Sequence, residues 1–118
     1  MFGLVEKDIN EIKSCLRNFP EVEIGLIFGS RARGDFKNGS DVDLALKGAR
    51  INFKIISRIS CMLNEETNMP YHFDVVNYSE IESKDLKLQI DRAGIILYQK
   101  ESAFVAQEPD IKYEDDLS

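Results

Sequence analysis

Apolar residues recur along this chain in two rhythms, one helical and one extended. Intervals of three and four residues predict an amphipathic helix over residues 4–18, with an apolar stripe of Val5, Ile9, Ile12, Leu16 and Phe19. A second stripe predicts a helix over residues 51–67, formed by Ile51, Ile55, Ile56, Ile59, Met62 and Leu63. Ser79 and Glu82 fit a capping box, which predicts a third helix from Ser79 to about Ala93, ended by Gly94.

Four shorter apolar segments predict β-strands at residues 22–28, 41–46, 71–77 and 95–98. The second segment alternates strictly, which predicts a half-buried strand with Val42, Leu44 and Leu46 on one face and Asp41, Asp43 and Ala45 on the other. A short helix over residues 30–36 is expected after the first strand. Helices and strands thus alternate along the chain, and we predict one mixed α/β (α+β) domain in which helices pack on a small sheet.

Charge divides the chain into a nearly neutral body and an acidic tail. Residues 101–118 hold six acidic residues and one basic residue, which leaves 15 acidic and 14 basic residues in residues 1–100. We therefore expect a domain over residues 1–100 and a mobile acidic tail over residues 101–118. Neither part has the basic excess of a nucleic-acid-binding protein, so direct nucleic-acid binding is not expected.

The apolar runs and the cysteines bear on the compartment. No stretch approaches 18 consecutive apolar residues, so no membrane-spanning helix is expected. The first residues also lack the basic start and the apolar run of a secretory signal. Cys15 and Cys61 are too few for a disulfide framework. We therefore expect a cytoplasmic protein with reduced thiols.

Residue types suited to phosphate binding follow the first predicted strand. That strand ends in Gly29-Ser30, where the backbone N–H groups of a turn can hold a phosphate and the Ser30 hydroxyl adds a donor. Arg31 and Arg33 come next, where cations would neutralise a polyphosphate. We expect Arg33 to contact phosphate, whereas the pattern leaves the role of Arg31 open.

Three aspartates supply candidate metal ligands. Asp41 and Asp43 are two residues apart in a predicted strand, so both carboxylates lie on one face. Such a pair suits a hard divalent cation, above all Mg²⁺. If the strand that contains Asp74 lies beside residues 41–46, Asp74 completes a cluster of three carboxylates. A cluster of this kind can hold two metal ions and support in-line displacement at phosphorus.

A family resemblance emerges at these residues. Gly-Ser, ten intervening residues and Asp-x-Asp, with a later strand aspartate, resemble the nucleotidyltransferase superfamily of DNA polymerase beta. The fuller segments Gly-Ser-Arg-Ala-Arg-Gly, from Gly29, and Ser-Asp-Val-Asp-Leu, from Ser40, resemble the minimal nucleotidyltransferases (MNT). These are small proteins encoded beside a helical HEPN partner, and families of this kind include antitoxins. The resemblance covers roughly residues 4–100.

The resemblance implies a nucleotidyltransferase fold and a reaction in which ATP is the substrate. It implies that Gly29 and Ser30 hold the triphosphate and that Arg33 contacts a phosphate. The implied reaction is the attack of a hydroxyl on the α-phosphate of ATP, with pyrophosphate as the leaving group. The implied acceptor is a tyrosine of a HEPN toxin, so the chain would be an antitoxin that acts by protein adenylylation.

The same resemblance implies a metal site. Asp41, Asp43 and Asp74 would bind two Mg²⁺ ions, for which Mn²⁺ is an expected substitute. Asp74 would also help to deprotonate the acceptor hydroxyl. The three aspartates are thus both the implied catalytic residues and the implied metal ligands.

Two other functions stay open. A small-molecule adenylyltransferase of the aminoglycoside-resistance type would use the same residues, although no substrate domain is expected after residue 100. An antitoxin that neutralises its partner by binding alone would need no transfer. Substitution of Asp41 and Asp43 separates this binder from an enzyme, because the binder keeps neutralising its partner.

Overall fold

The computed structural model describes residues 2–37 and 39–100, which form a four-stranded sheet with helices against it. The elements in chain order are α1 (Glu6–Arg17), β1 (Ile24–Phe28), α2 (Ser30–Arg33), β2 (Val42–Lys47), α3 (Phe53–Glu65), β3 (Phe73–Asn77), a 3₁₀ turn (Tyr78–Glu80), α4 (Lys84–Ala93) and β4 (Ile95–Gln99). The predicted α/β fold with a small sheet is confirmed. The tail predicted over residues 101–118 lies outside the described residues.

The sheet is mixed, with the strand order β3-β2-β1-β4. β1 pairs antiparallel with both β2 and β4, whereas β2 and β3 are parallel. Parallel neighbours need a crossover connection, and α3 provides it between β2 and β3. The result is that β2 lies at the centre of the site strands, with the end of β1 on one side and the start of β3 on the other.

The two faces of the sheet are covered differently. The larger core lies between the sheet and the pair α1 and α3, and its fully buried members include Ile12, Leu16, Leu44, Ile59 and Phe73. A smaller cluster on the opposite face consists of Phe28, Ala45 and Ile90. Because Ile90 of α4 covers only part of that face, the region around Asp43 stays open.

The prediction that residues 41–46 form a half-buried strand is therefore wrong for part of its length. Ala45 was expected on the exposed face with Asp43, yet it is completely buried. The reason is tertiary, since α4 crosses the sheet above Ala45 and brings Ile90 against it. Asp43 lies two residues before Ala45, closer to the uncovered end of the sheet, and is only half-buried.

The start of the last helix also differs from the prediction. Ser83, not Ser79, is the N-cap of α4, and its hydroxyl accepts a hydrogen bond from the Leu86 N–H at 3.1 Å. Ser79 instead donates through both its N–H and its hydroxyl to the Asn77 side-chain oxygen. Asn77 thereby holds this segment in a 3₁₀ turn, and the helix begins four residues later. Within the described segments, no helix combines the length and the apolarity needed to cross a membrane.

Candidate active site

The sheet brings the three predicted aspartates to one end of β2 and β3. Asp43 is the second residue of β2, Asp74 is the second residue of β3, and the two are register partners in the parallel pair. Asp41 lies directly before β2. Asp41 and Asp74 are exposed, whereas Asp43 is half-buried. The prediction of a three-carboxylate cluster required the strand of Asp74 to lie beside the strand of Asp43, and the pairing of β2 with β3 meets this condition.

The electrostatics of Asp43 reflect these neighbours. Its pKa is raised above the ordinary value by burial first, then by the negative charges of Asp74 and Asp41, while the positive charge of Arg33 opposes the rise. A carboxylate whose charge is disfavoured by two other carboxylates is one that an added cation would stabilise. The positive charge of Arg33 therefore does not balance the negative charge of Asp41, Asp43 and Asp74.

Gly29 brings the backbone of β1 against Asp43. Its φ of 75° and ψ of −149° belong to a region that side chains rarely adopt. A Cβ at this position would collide with the Asp43 carboxylate. Since Phe28 is the register partner of Asp43, the chain turns immediately beside that carboxylate. A glycine is needed at this position because it can adopt the positive φ and because it has no side chain to collide with Asp43.

Ser30 and Arg33 occupy the single helical turn α2, which follows Gly29. The Arg33 N–H donates to the Gly29 carbonyl, so this turn is closed by its own backbone. The Arg33 side chain is 44% exposed, and its Nε lies 3.4 Å from the Asp35 carboxylate. An exposed guanidinium within electrostatic range of Asp43 can contact a ligand at this end of the sheet.

Arg31, in contrast, is buried, with 3% of its surface exposed. Its guanidinium donates hydrogen bonds to the carbonyls of Phe2 and Ser40, each at 2.8 Å, and a longer one of 3.3 Å to the Asp41 carbonyl. It also lies over two aromatic rings, at 5.0 and 4.9 Å from their centroids, those of Phe36 and Tyr71. Arg31 therefore holds the loop that carries Asp41.

Local sequence patterns do not reveal this role of Arg31. One partner, Phe2, lies 29 residues away along the chain. Only the neighbouring aromatic Phe36 gives a local hint, and an aromatic residue near an arginine is not specific.

Asn64 is a second residue whose role the sequence did not reveal. Its side-chain oxygen accepts from the Phe73 N–H at 2.7 Å, and its amide nitrogen donates to the Phe73 carbonyl at 2.9 Å. Both backbone groups of the residue before Asp74 are thus held by one side chain from α3. An asparagine inside a predicted helix carries no signal of such a contact.

The donor set at this end of the sheet is suited to a hard cation, because carboxylate oxygens are what Mg²⁺ prefers. Throughout residues 2–37 and 39–100, however, no three His, Cys, Asp or Glu side chains are arranged so that they could hold one metal ion. The three aspartates are electrostatic neighbours whose oxygens do not converge on a single point.

Comparisons with known proteins show the same fold. A chain of a toxin–antitoxin structure with AMP-PNP is 21% identical, with a TM-score of 0.64 over 87% of this chain and 80% of that chain. A chain of the toxin–antitoxin pair MntA-HepT is 20% identical, with a TM-score of 0.63 over 86% of this chain and 79% of that chain. A chain from the structure of tri-AMPylated Shewanella oneidensis HEPN toxin in complex with MNT antitoxin is 20% identical, with a TM-score of 0.62 over 86% of this chain and 77% of that chain. No curated protein matches the chain.

A family match covers most of the sequence. The family described as Polymerase beta, Nucleotidyltransferase matches residues 10–103, a range that includes all of the candidate site residues. The strand pairing described above and the Gly-Ser turn beside Asp43 agree with the features that carried the resemblance in the sequence. The chain therefore belongs to the polymerase beta nucleotidyltransferase family.

Proposed function

We propose that this chain transfers AMP from ATP to a hydroxyl in a Mg²⁺-dependent reaction, and that the acceptor is a tyrosine of a HEPN toxin. One observation carries the proposal. Asp43 lies between the Gly29-Ser30 turn, at the end of β1, and Asp74, its register partner on β3. The turn predicted to bind phosphate and the residue predicted to act as base thus flank one central carboxylate.

The nucleotide would bind on the β1 side of Asp43. The backbone at Gly29 is bare of a side chain, so a phosphate can approach it closely. The Ser30 hydroxyl and the exposed Arg33 guanidinium would donate to phosphate oxygens. We assign Arg31 no such role, because its guanidinium is buried and each of its three nitrogens already donates to a backbone carbonyl.

The residue types present fit a divalent metal, because Asp41 and Asp74 lie close enough to Asp43 for their charges to raise its pKa. Binding one ion would require the oxygens of the three carboxylates to move toward a common point. Asp41, Asp43 and Asp74 would hold the ions. When bound, Mg²⁺ would withdraw charge from the phosphate oxygens and favour loss of the acceptor proton.

The reaction itself is a single displacement at the α-phosphorus. The acceptor hydroxyl gives its proton to the Asp74 carboxylate while its oxygen attacks the α-phosphorus. A new oxygen–phosphorus bond forms, the bond from the α-phosphorus to the oxygen of the β-phosphate breaks, and pyrophosphate leaves with that electron pair. Arg33 would stabilise the charge that develops on the departing phosphates.

The choice of acceptor is supported by the proteins that share the fold. One similar structure is a toxin–antitoxin with AMP-PNP, and another contains a tri-AMPylated HEPN toxin with an MNT antitoxin. Both structures are of other proteins. They support a protein hydroxyl as the acceptor for this chain, in preference to an aminoglycoside-type small molecule.

The test is to incubate the protein with ATP and Mg²⁺, with and without the product of the adjacent gene, and to measure intact masses. We expect added AMP on the partner protein. The addition should disappear in the double variant Asp41→Asn/Asp43→Asn. It should persist in Asp85→Asn, a matched control that removes an exposed carboxylate from α4.

Other results would contradict the proposal. A tight complex that silences the partner without added mass, in the wild type and in the double variant alike, would identify an antitoxin that acts by contact. Absence of both modification and complex, combined with AMP transfer to kanamycin, would identify a small-molecule adenylyltransferase.

A further inference from the structure

Two cavities lie along the outer side of β3, which is an edge strand of the sheet. The cavity next to Asp74 has a volume of about 770 Å³, and the second, further along the strand, has about 690 Å³. Ile56 and Val75 line both, so the cavities meet midway along β3. We call the two together the β3 groove, which extends from Asp74 at one end to Glu82 at the other.

We propose that the β3 groove binds an extended, basic segment of polypeptide that carries the acceptor hydroxyl. This inference rests on the proposed function and adds to it the chemical class of the acceptor and its place on this chain. The side of approach, the lining of the two cavities and their charge each support it.

The strand order determines the side from which the acceptor approaches. Gly29 and Asp74 lie on opposite sides of Asp43, because β2 separates β1 from β3. An in-line displacement needs the attacking and leaving oxygens on opposite sides of the phosphorus. With the pyrophosphate over the Gly29-Ser30 turn, the acceptor enters over β3, where the groove opens.

The lining of the groove favours a polypeptide over a single small molecule. The cavity beside Asp74 has a mixed lining, in which the polar side chains of Ser57 and Ser60 stand beside apolar ones. The second cavity is largely apolar, with Ile81 among its lining residues, and Phe53 on its lining is 85% exposed. An extended segment of about five residues spans roughly 16 Å. It can thus place a hydroxyl side chain near Asp74 and an apolar side chain in the second cavity.

The charge of the groove indicates basic neighbours for that hydroxyl. Four carboxylates line the two cavities, those of Glu65, Asp74, Glu80 and Glu82. Among the lining residues in the described part of the chain, none is Lys or Arg. A surface of one sign attracts ligands of the opposite sign and repels like charge, so an acidic peptide or a nucleic-acid backbone is disfavoured.

Direct peptide binding in the absence of ATP tests the proposal. The probe is a fluorescent heptapeptide, Arg-Leu-Lys-Tyr-Lys-Leu-Arg, followed by anisotropy. Because a leucine lies on each side of the tyrosine, the peptide can place a leucine in the second cavity whichever way its chain runs along the groove. One comparison peptide replaces the basic residues with Glu and Asp, and another replaces both leucines with alanine. The wild-type protein should bind the first peptide at least tenfold more tightly than either comparison peptide.

Charge reversal in the groove provides the matched variants. Glu80→Lys/Glu82→Lys should weaken binding of the basic peptide about tenfold and leave ATP binding unchanged, since both positions are remote from the Gly29-Ser30 turn along the sheet. The control is Glu6→Lys/Glu23→Lys, which makes the same change in net charge at exposed positions outside the groove. It should bind the peptide within twofold of the wild type.

The groove proposal is overturned if acidic and basic peptides bind equally, if both double variants lose affinity equally, or if kanamycin displaces the peptide and the leucines make no difference. These results do not depend on catalysis. Failure of AMP transfer to any acceptor, with peptide binding intact, would overturn the proposed function and leave the groove assignment. AMP transfer to the partner with an unchanged KM for the partner in Glu80→Lys/Glu82→Lys would overturn the groove assignment alone.

Discussion

Among single residues, the contact between Gly29 and Asp43 decides how closely the strands can meet at the site. A side chain at Gly29 would occupy the space of the Asp43 carboxylate, and its positive φ adds a backbone cost. The same close approach leaves Asp43 partly removed from water, which is the largest cause of its raised pKa. One glycine thus shapes both the packing and the charge of the site.

Gly29→Ala should lower the free energy of unfolding by about 1–3 kcal/mol for the backbone alone, and further through the collision with Asp43. Gly34→Ala is the matched control, because Gly34 also has a positive φ, of 90°, yet nothing lies within 4 Å of its added Cβ. Urea denaturation of both variants measures the difference. Equal losses would mean that the Asp43 carboxylate simply moves aside.

Asp43→Asn should leave the metal-free protein as stable as the wild type at acidic pH and more stable at neutral pH. Because the folded-state pKa of Asp43 is raised, the folded protein binds more protons than the unfolded chain, so this carboxyl costs stability as the pH rises through its unfolded and then its folded pKa. The variant lacks this cost. Melting temperatures in EDTA from pH 4 to pH 8 should therefore diverge with rising pH; a variant less stable at every pH would make Asp43 a structural residue.

Arg31 and Arg33 should respond differently to the same substitution. Arg31→Lys removes the planar group that serves three backbone carbonyls, so we expect a loss of about 2–3 kcal/mol in unfolding free energy. Arg33→Lys changes an exposed side chain and should stay within about 0.5 kcal/mol. Chemical denaturation gives both values, and equal stability of the two variants would contradict the buried role of Arg31.

Among the elements, α4 shows how a correct helix can begin at the wrong residue in a sequence-based prediction. Both Ser79 and Ser83 are suitable N-caps by residue type, and only Ser79 has a Glu three positions later. Asn77 decides between them, because its side-chain oxygen accepts from the Ser79 N–H and keeps the backbone out of the helix. A competing local hydrogen bond therefore outweighed the capping pattern.

Ser83→Ala should destabilise the protein by about 1 kcal/mol, since it leaves the Leu86 N–H without its cap. Ser79→Ala should cost no more than about 0.5 kcal/mol, because it removes one hydroxyl from an exposed turn. The two unfolding free energies, measured in urea under one condition, decide between the positions. A larger loss for Ser79→Ala would restore the original capping assignment.

Apolar periodicity predicted α1, α3 and the four strands, because apolar spacing records which face of an element is buried. The short helix α2 was expected after the Gly29-Ser30 turn and α4 from a capping box, whereas the 3₁₀ turn was not predicted. Periodicity placed β2 within one residue at each end, from 41–46 to Val42–Lys47. It failed for the exposure of Ala45, since that burial comes from Ile90 in an element far along the chain. Patterns within a strand carry no information about what later covers it.

At the level of the whole molecule, the site is a product of strand pairing. Asp43 and Asp74 are neighbours only because β2 and β3 pair in this register, and a shift of one residue would send Asp74 to the opposite face. The sequence motif identified the residue types, but it could not show that the strand of Asp74 pairs with the strand of Asp43. The hydrogen bonds of Arg31 and Asn64 could not be predicted from the sequence for the same reason, because their partners lie outside the helices that carry them, between nine and 29 residues away along the chain.

Mg²⁺ with a non-hydrolysable ATP analogue should raise the melting temperature. At ligand concentrations a hundredfold above Kd the folded state gains about 2.7 kcal/mol, which for a domain of this size corresponds to roughly 10 °C. Asp41→Asn/Asp43→Asn should lose most of this shift, whereas Asp85→Asn should keep it. Differential scanning fluorimetry measures all three, and an equal shift in every variant would place the ligand away from the aspartates.

The position of α4 over Ala45 also has a consequence for how the protein is made. Strands β1 to β3 leave the ribosome first, yet the cover over Phe28 and Ala45 is complete only when Ile90 has emerged. A nascent chain that stalls earlier therefore presents an uncovered apolar sheet face, a target for chaperones and proteases. We therefore expect the site strands to be most vulnerable to proteolysis until the last quarter of the domain has been synthesised.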